Sequence, residues 1–237
     1  MKKASFIRSS QLLLKPAGIS TGCGVLDGLI GRIETGKTYL FYGDEEVLKR
    51  LLYSIAVNAI AELDKPVLII TLRDYHRGLI LDTFDLGYTA VQYYLDPEYA
   101  LKNIYVAPVF NRRQAVNIAD LISLVKSLEV KAVLVWASTE LFEYEDYPVL
   151  IKFLGLLKQV LENDVALILF SSASRLSKSY PPKPDGPIFL KHFASIIVYF
   201  KRSIRDKKIV KINLVKHPYR SLNKAKAFLD YHALTDL

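Results

Sequence analysis

Seven short apolar runs, separated by segments with helical spacing, limit what this 237-residue chain can fold into more than any other feature of its sequence. They lie at 39–42 (YLFY), 67–71 (VLIIT), 104–107 (IYVA), 132–135 (AVLV), 166–170 (ALILF), 196–200 (IIVYF) and 209–215 (IVKINLV). Each has strand length and is rich in β-branched or aromatic residues, whereas 45–63, 78–86, 113–127 and 147–162 repeat their apolar residues at helical spacing. Strands that alternate with helices favour a mostly parallel sheet with helices on both faces. Only SIRDKK joins the last two runs, so the sheet is expected to close with antiparallel strands. The fold class is α/β.

A composition that is 51% apolar and 24% charged is ordinary for a globular protein, and no apolar run approaches the roughly 18 residues of a membrane span. A soluble protein with no membrane partner is expected. The opening MKKASFIRSS lacks the apolar core of a secretory signal, and a single cysteine, Cys23, cannot form an internal disulfide, which points to a reducing, cytoplasmic location. Net charge is +8, and between 191 and 226 eleven Lys or Arg residues face one acid, Asp206. A polyanionic partner fits that asymmetry; a solvated Lys-rich face fits it equally.

The stretch GRIETGKT at 31–38 matches the phosphate-loop pattern G-x-x-x-x-G-K-[ST]. Such a loop works only between a strand and a helix, because backbone N–H groups and the helix N-terminus must converge on the phosphates. Here a strand-like run, YLFYG, follows the motif, and the helical pattern starts only near Glu45. GRIETGKT is therefore read as the turn into the first strand. Strand runs into helix instead at YLFY-GDEEVLKR. There Gly43 and Lys49 occupy the first-glycine and lysine positions, but Leu48 replaces the second glycine and Arg50 the Ser/Thr. Leu48 resists a left-handed backbone, Arg50 offers no hydroxyl to magnesium, and Asp44, Glu45 and Glu46 set negative charge where polyphosphate would lie.

Other chemistries lack their signatures. The four histidines are far apart, Cys23 has no partner at short spacing, and neither G-x-S-x-G nor G-x-G-x-x-G occurs, so no metal, no cofactor and no catalytic residue is assigned. Asp82 and Asp85 are three apart on a helical pattern and are expected to face solvent.

Several blocks resemble the RecA-type recombinases, in particular archaeal RadA and its paralogues: SFIRSS at 5–10, ISTGCGVLDGLIGRIETG at 19–36, and LKHFASIIVYFKR, IVKINLVKHPYR and TD toward the end. The resemblance implies a RecA-like core over 19–237, preceded by a linker or polymerisation-type segment over 1–18. In that family an aspartate ends one apolar strand to hold magnesium, a glutamate follows another to position water, and a glutamine senses the γ-phosphate. This chain has Trp136, Leu72 and Ala173 at those places. Losing a metal ligand, a catalytic carboxylate and a loop glycine together leaves no useful turnover, so the expectation is a pseudo-ATPase.

The family's linker places F-x-x-A in pockets of a neighbouring core. Phe6 and Ser9 stand at those positions, which implies a RadA-type recombinase, another RecA-like paralogue or a second copy of this chain as partner. Of the family's two DNA-facing loops, the first is acidic here (ELFEYEDYP, 140–148), but the second carries Arg175, Lys178 and Lys183, with Tyr180 available to stack on a base. With Lys201, Arg202 and Arg205 they form the expected single-stranded DNA interface. An ATP-dependent enzyme of the same family and a plain single-stranded DNA-binding module are the competing readings.

Overall fold

The computed structural model describes residues 18–72, 81–231 and 233–236. One sheet is formed by β1 (Thr38–Gly43), β2 (Val67–Leu72), β3 (Ile104–Val109), β4 (Ala132–Trp136), β5 (Ala166–Ser171), β6 (Ile196–Arg202), β7 (Ile209–Lys216), β8 (Lys224–Leu229) and β9 (Leu234–Asp236). Its nine strands are ordered β3-β2-β4-β5-β1-β6-β7-β8-β9. From β3 to β6 all pairs are parallel; β6–β7, β7–β8 and β8–β9 are antiparallel. The mixed architecture expected from the alternation of runs is the one observed.

The helices are α1 (Gly24–Ile30), α2 (Glu45–Leu63), α3 (Thr83–Gln92), α4 (Pro97–Lys102), α5 (Arg112–Ala115), α6 (Ala119–Ser127), α7 (Tyr147–Lys158) and α8 (Phe189–Phe193). Side chains alternate across the sheet, so the parallel strands feed two cores. Phe41, Ile69, Leu134, Ile168 and Val198 pack with α1 and α2 on one face, while Leu40, Leu68, Val133 and Leu167 meet α7 on the other. Except at Lys49, α2 is buried from Val47 to Ile60, which explains why its sequence is apolar nearly all round.

Three helical expectations shift. The segment expected at 78–86 is helical at Thr83–Gln92, because Asp82 caps it by accepting from the N–H groups of Phe84 and Asp85. The 113–127 segment divides into α5 and α6, and the helix expected to reach 162 becomes 3₁₀ at Gln159–Asn163. Residues 31–37 form the turn that enters β1: Lys37 pairs with Glu34 at 2.7 Å, and its carbonyl accepts from Leu167 N.

Candidate functional site

β1 delivers the chain to Gly43, whose φ is +130° and whose missing side chain leaves room for the Phe200 carbonyl; a Cβ there would lie 2.1 Å from that oxygen. Glycine is thus required by sheet packing. Next comes α2, whose N-terminus is the anion-attracting end of a helix. A carboxylate already stands there: Asp44 caps the helix, accepting from Val47 N, and its Oδ2 accepts from Arg202 Nε at 2.7 Å.

Beside this end the crevice is filled. Trp136, at the end of β4, is 6% exposed and packs on Phe170 with ring centroids 5.9 Å apart. Leu48 is 3% exposed. The cavity left among Gly43, Leu48, Trp136, Phe170 and Ser171 is about 40 Å³, against the roughly 300 Å³ or more of an ordinary small-ligand pocket. Leu72, at the end of β2, is fully buried among apolar neighbours, and Ala173 forms a bridge with Pro184. Neither position offers a carboxylate or amide to a phosphate.

The cations of α2 are likewise engaged. Lys49 Nζ donates to Asp85 Oδ2 at 3.1 Å, Arg50 Nη1 lies 2.9 Å from the same oxygen as an ion pair, and Arg50 Nη2 meets Glu46 at 2.9 Å. Burial opposes ionisation of Asp85, but the Lys49 hydrogen bond and the Arg50 and Lys49 charges outweigh it and hold the carboxyl below its ordinary range. Burial also works against Lys49, and the Asp85 hydrogen bond reverses it, so the ammonium titrates above its ordinary value. Asp85 therefore does not face solvent as expected; it is the counter-ion of the lysine and arginine in the first turns of α2.

A second feature lies where the sheet turns antiparallel. An open groove of about 970 Å³ is lined by Tyr180, Lys201, Arg202, Arg205, Lys211, Asn213, Lys224 and Lys226 among others, with no acidic residue among the described residues of its wall. Strand register sets Lys201 opposite Lys211, and Lys211 opposite Lys226. Like charges directly opposite destabilise a sheet, so this row is a cost the fold carries. Asn213, opposite Lys224, is 4% exposed, and its Nδ2 has no hydrogen-bond partner among the described residues. Tyr180 overhangs the groove, with Lys201 and Lys224 ammonium groups 5.9 and 6.0 Å from its ring centroid. The Tyr180 segment is anchored from β1, where Tyr42 OH donates to the Pro182 carbonyl at 2.8 Å.

Of the residues expected to contact DNA, the structure gathers Tyr180, Lys201, Arg202 and Arg205 on this groove, and Arg202 also serves Asp44. Arg175, Lys178 and Lys183 are exposed but do not line it. The sequence marks Lys211, Lys224 and Lys226 only as part of the basic stretch 191–226, and Asn213 only within the IVKINLVKHPYR block, although the alternation in KINL places Lys211 and Asn213 on one face. Phe6 and Ser9 lie outside the described residues. Among the described residues no group of three or more His, Cys, Asp or Glu is placed to hold a metal ion, and no helix is long and apolar enough to cross a membrane.

The fold is the mixed α/β sheet of a RecA-like core, and the crevice at the carboxyl ends of β1 and β4 is narrowed by Leu48 and Trp136. A solved structure described as the crystal structure of the RadB recombinase matches with a TM-score of 0.77 over 92% of this chain and 99% of that one, at 20% identity. At that identity the likeness speaks for the fold. No family model matches the sequence, and no curated protein does.

Proposed function

We propose that this chain is a RecA-like paralogue without ATPase activity, a cytoplasmic protein that joins a RadA-type recombinase or another RecA-like paralogue and modulates recombination and repair. One observation carries the proposal: Trp136 and Leu48 occupy the crevice where a phosphate loop would hold triphosphate, and Lys49 and Arg50 are paired internally with Asp85 and Glu46. Binding nucleotide would require breaking those pairs and moving an indole. Trp136 is the only tryptophan, so its fluorescence reports directly on the crevice. Titration with Mg·ATP to millimolar concentration is expected to leave the emission unchanged; a saturable change lost on Lys49→Ala would overturn the proposal. The same titration on Lys37→Ala tests the rival site in GRIETGKT, whose lysine pairs with Glu34.

Partner binding is supported by β3, which ends the sheet with one side unpaired among the described residues and exposes Tyr105 and Val106. Such an edge accepts a strand from another chain. Phe6→Ala is expected to abolish capture of the recombinase and to leave oligonucleotide affinity unchanged.

The basic groove favours DNA binding as a second property, with phosphates on Lys201, Lys211 and Lys226 and a base against Tyr180. Lys211→Glu is expected to weaken oligo(dT) binding and reduce its salt dependence, whereas Lys178→Glu, off the groove, is expected to change it little.

A further inference from the structure

The acidic loop at 140–146 has no part in that function, yet its chemistry complements the groove. It carries Glu140, Glu143, Glu145 and Asp146 with no Lys or Arg. Asp146 is buried and bound to Arg112 at 2.9 Å, but Glu143 and Glu145 are exposed and flank Tyr144, which is 83% exposed. Glu145 has no ion-pair partner among the described residues, and neither do Lys211 and Lys226 across the groove.

No ion pair joins the two surfaces within one molecule among the described residues. Residues 172–187 stand between them: Gly186 lies against Thr139 beneath the acidic loop, and Tyr180 forms part of the groove wall. That segment is pinned by Tyr42 to Pro182 and by Ser174 N to the Lys183 carbonyl at 2.8 Å. Two copies related by a two-fold axis remove the mismatch, since each would lay its acidic loop on the other's groove. The contact would set carboxylates against the Lys201–Lys211–Lys226 row.

We infer that this chain forms a reciprocal, salt-sensitive dimer in which the 140–146 loop of one copy occupies the β6–β8 groove of the other, and that DNA and dimerisation compete for that groove. The competition rests on the DNA reading above; the dimer does not.

Sedimentation velocity of the full chain tests it. At about 50 mM salt a dimer mass is expected, falling to monomer near 500 mM as the charges are screened. Glu143→Lys with Glu145→Lys, and separately Lys211→Glu with Lys226→Glu, should each be monomeric at low salt while keeping the wild-type circular dichroism. An equimolar mixture of these two variants should recover the dimer, because both heterologous contacts again join opposite charges. A monomeric wild type, a dimer that survives the glutamate reversal, or a mixture that stays monomeric would each overturn the inference. Oligo(dT) of about twenty nucleotides should dissociate the wild-type dimer. A dimer that persists with no oligonucleotide bound would remove the DNA reading alone, and oligonucleotide bound to an intact dimer would remove the competition.

Discussion

Two clusters of cations lie near the carboxyl edge of the same sheet and are treated in opposite ways. In the crevice, Lys49, Arg50 and Arg202 each meet a carboxylate, from Asp85, Glu46 or Asp44. In the groove, Lys201, Lys211 and Lys226 face one another with no acid in the wall among the described residues. A desolvated charge must be paired, so the crevice has resolved its electrostatics internally and has little left for a ligand. An exposed lysine needs no partner, but a row of them in register is mildly unfavourable until something anionic arrives. Closed chemistry on one side and open chemistry on the other is the contrast on which the proposed function rests.

The strongest way to break the comparison is to empty the crevice. Trp136→Ala should cost about 3–5 kcal/mol, as for other large-to-small changes of a buried aromatic, read from the denaturation midpoint. A cost under about 1 kcal/mol would mean that the indole does not fill the site. Asp85→Asn comes next, at about 2 kcal/mol, since it leaves Arg50 and Lys49 facing a neutral group in a partly buried place. The pH dependence has a definite sign. Asp85 titrates below its ordinary range in the folded state, so its contribution is present above the unfolded carboxylate value and is lost as pH falls through the depressed one. Wild type and Asp85→Asn should therefore converge in stability in acid and differ most near neutrality.

Lys201 and Arg202 sharpen the comparison because they are neighbours on β6 with opposite allegiances. Alternation puts Lys201 on the face of Tyr199, beside the groove, and Arg202 on that of Phe200, where it reaches Asp44. Arg202→Ala should lower stability by about 1 kcal/mol, the range of a partly exposed pair with good geometry. Its effect on the salt slope of oligonucleotide binding should be small. Lys201→Ala should do the reverse, reducing that slope by about 0.7, the share of one neutralised phosphate on a single strand. Equal effects of the two substitutions on both measurements would erase the distinction between crevice and groove.

This pair also shows how much of the molecule was legible in the sequence. Strand positions were, because parallel strands buried on both faces leave apolar runs such as ALILF that few other structures explain. So were Trp136 and Leu48 as anomalies, since a phosphate site tolerates neither. Asp85 was not: it is distant in sequence from Lys49, and its placement depends on where Asp82 starts α3, a boundary that periodicity leaves loose. Asn213 was partly legible as a polar residue inside an apolar strand. That it lies opposite Lys224 depends on hairpin register, which the length of the HPYRSLN turn alone does not fix.

The smallest expected effect has the opposite sign from the rest. Lys211 stands between Lys201 and Lys226 in the cross-strand row, so it meets like charge on both sides. Lys211→Gln keeps much of the aliphatic stem against the sheet while removing the central charge, and should stabilise the protein by about 0.2–1 kcal/mol. The gain should shrink with added salt, because the repulsion it relieves is screened over about 10 Å at 0.1 M. The same substitution should weaken oligonucleotide binding. A residue whose removal improves the fold and impairs a ligand is kept for the ligand. If Lys211→Gln instead destabilised the chain at low salt, the row would owe its place to packing, and the contrast with the paired cations of the crevice would lose its functional meaning.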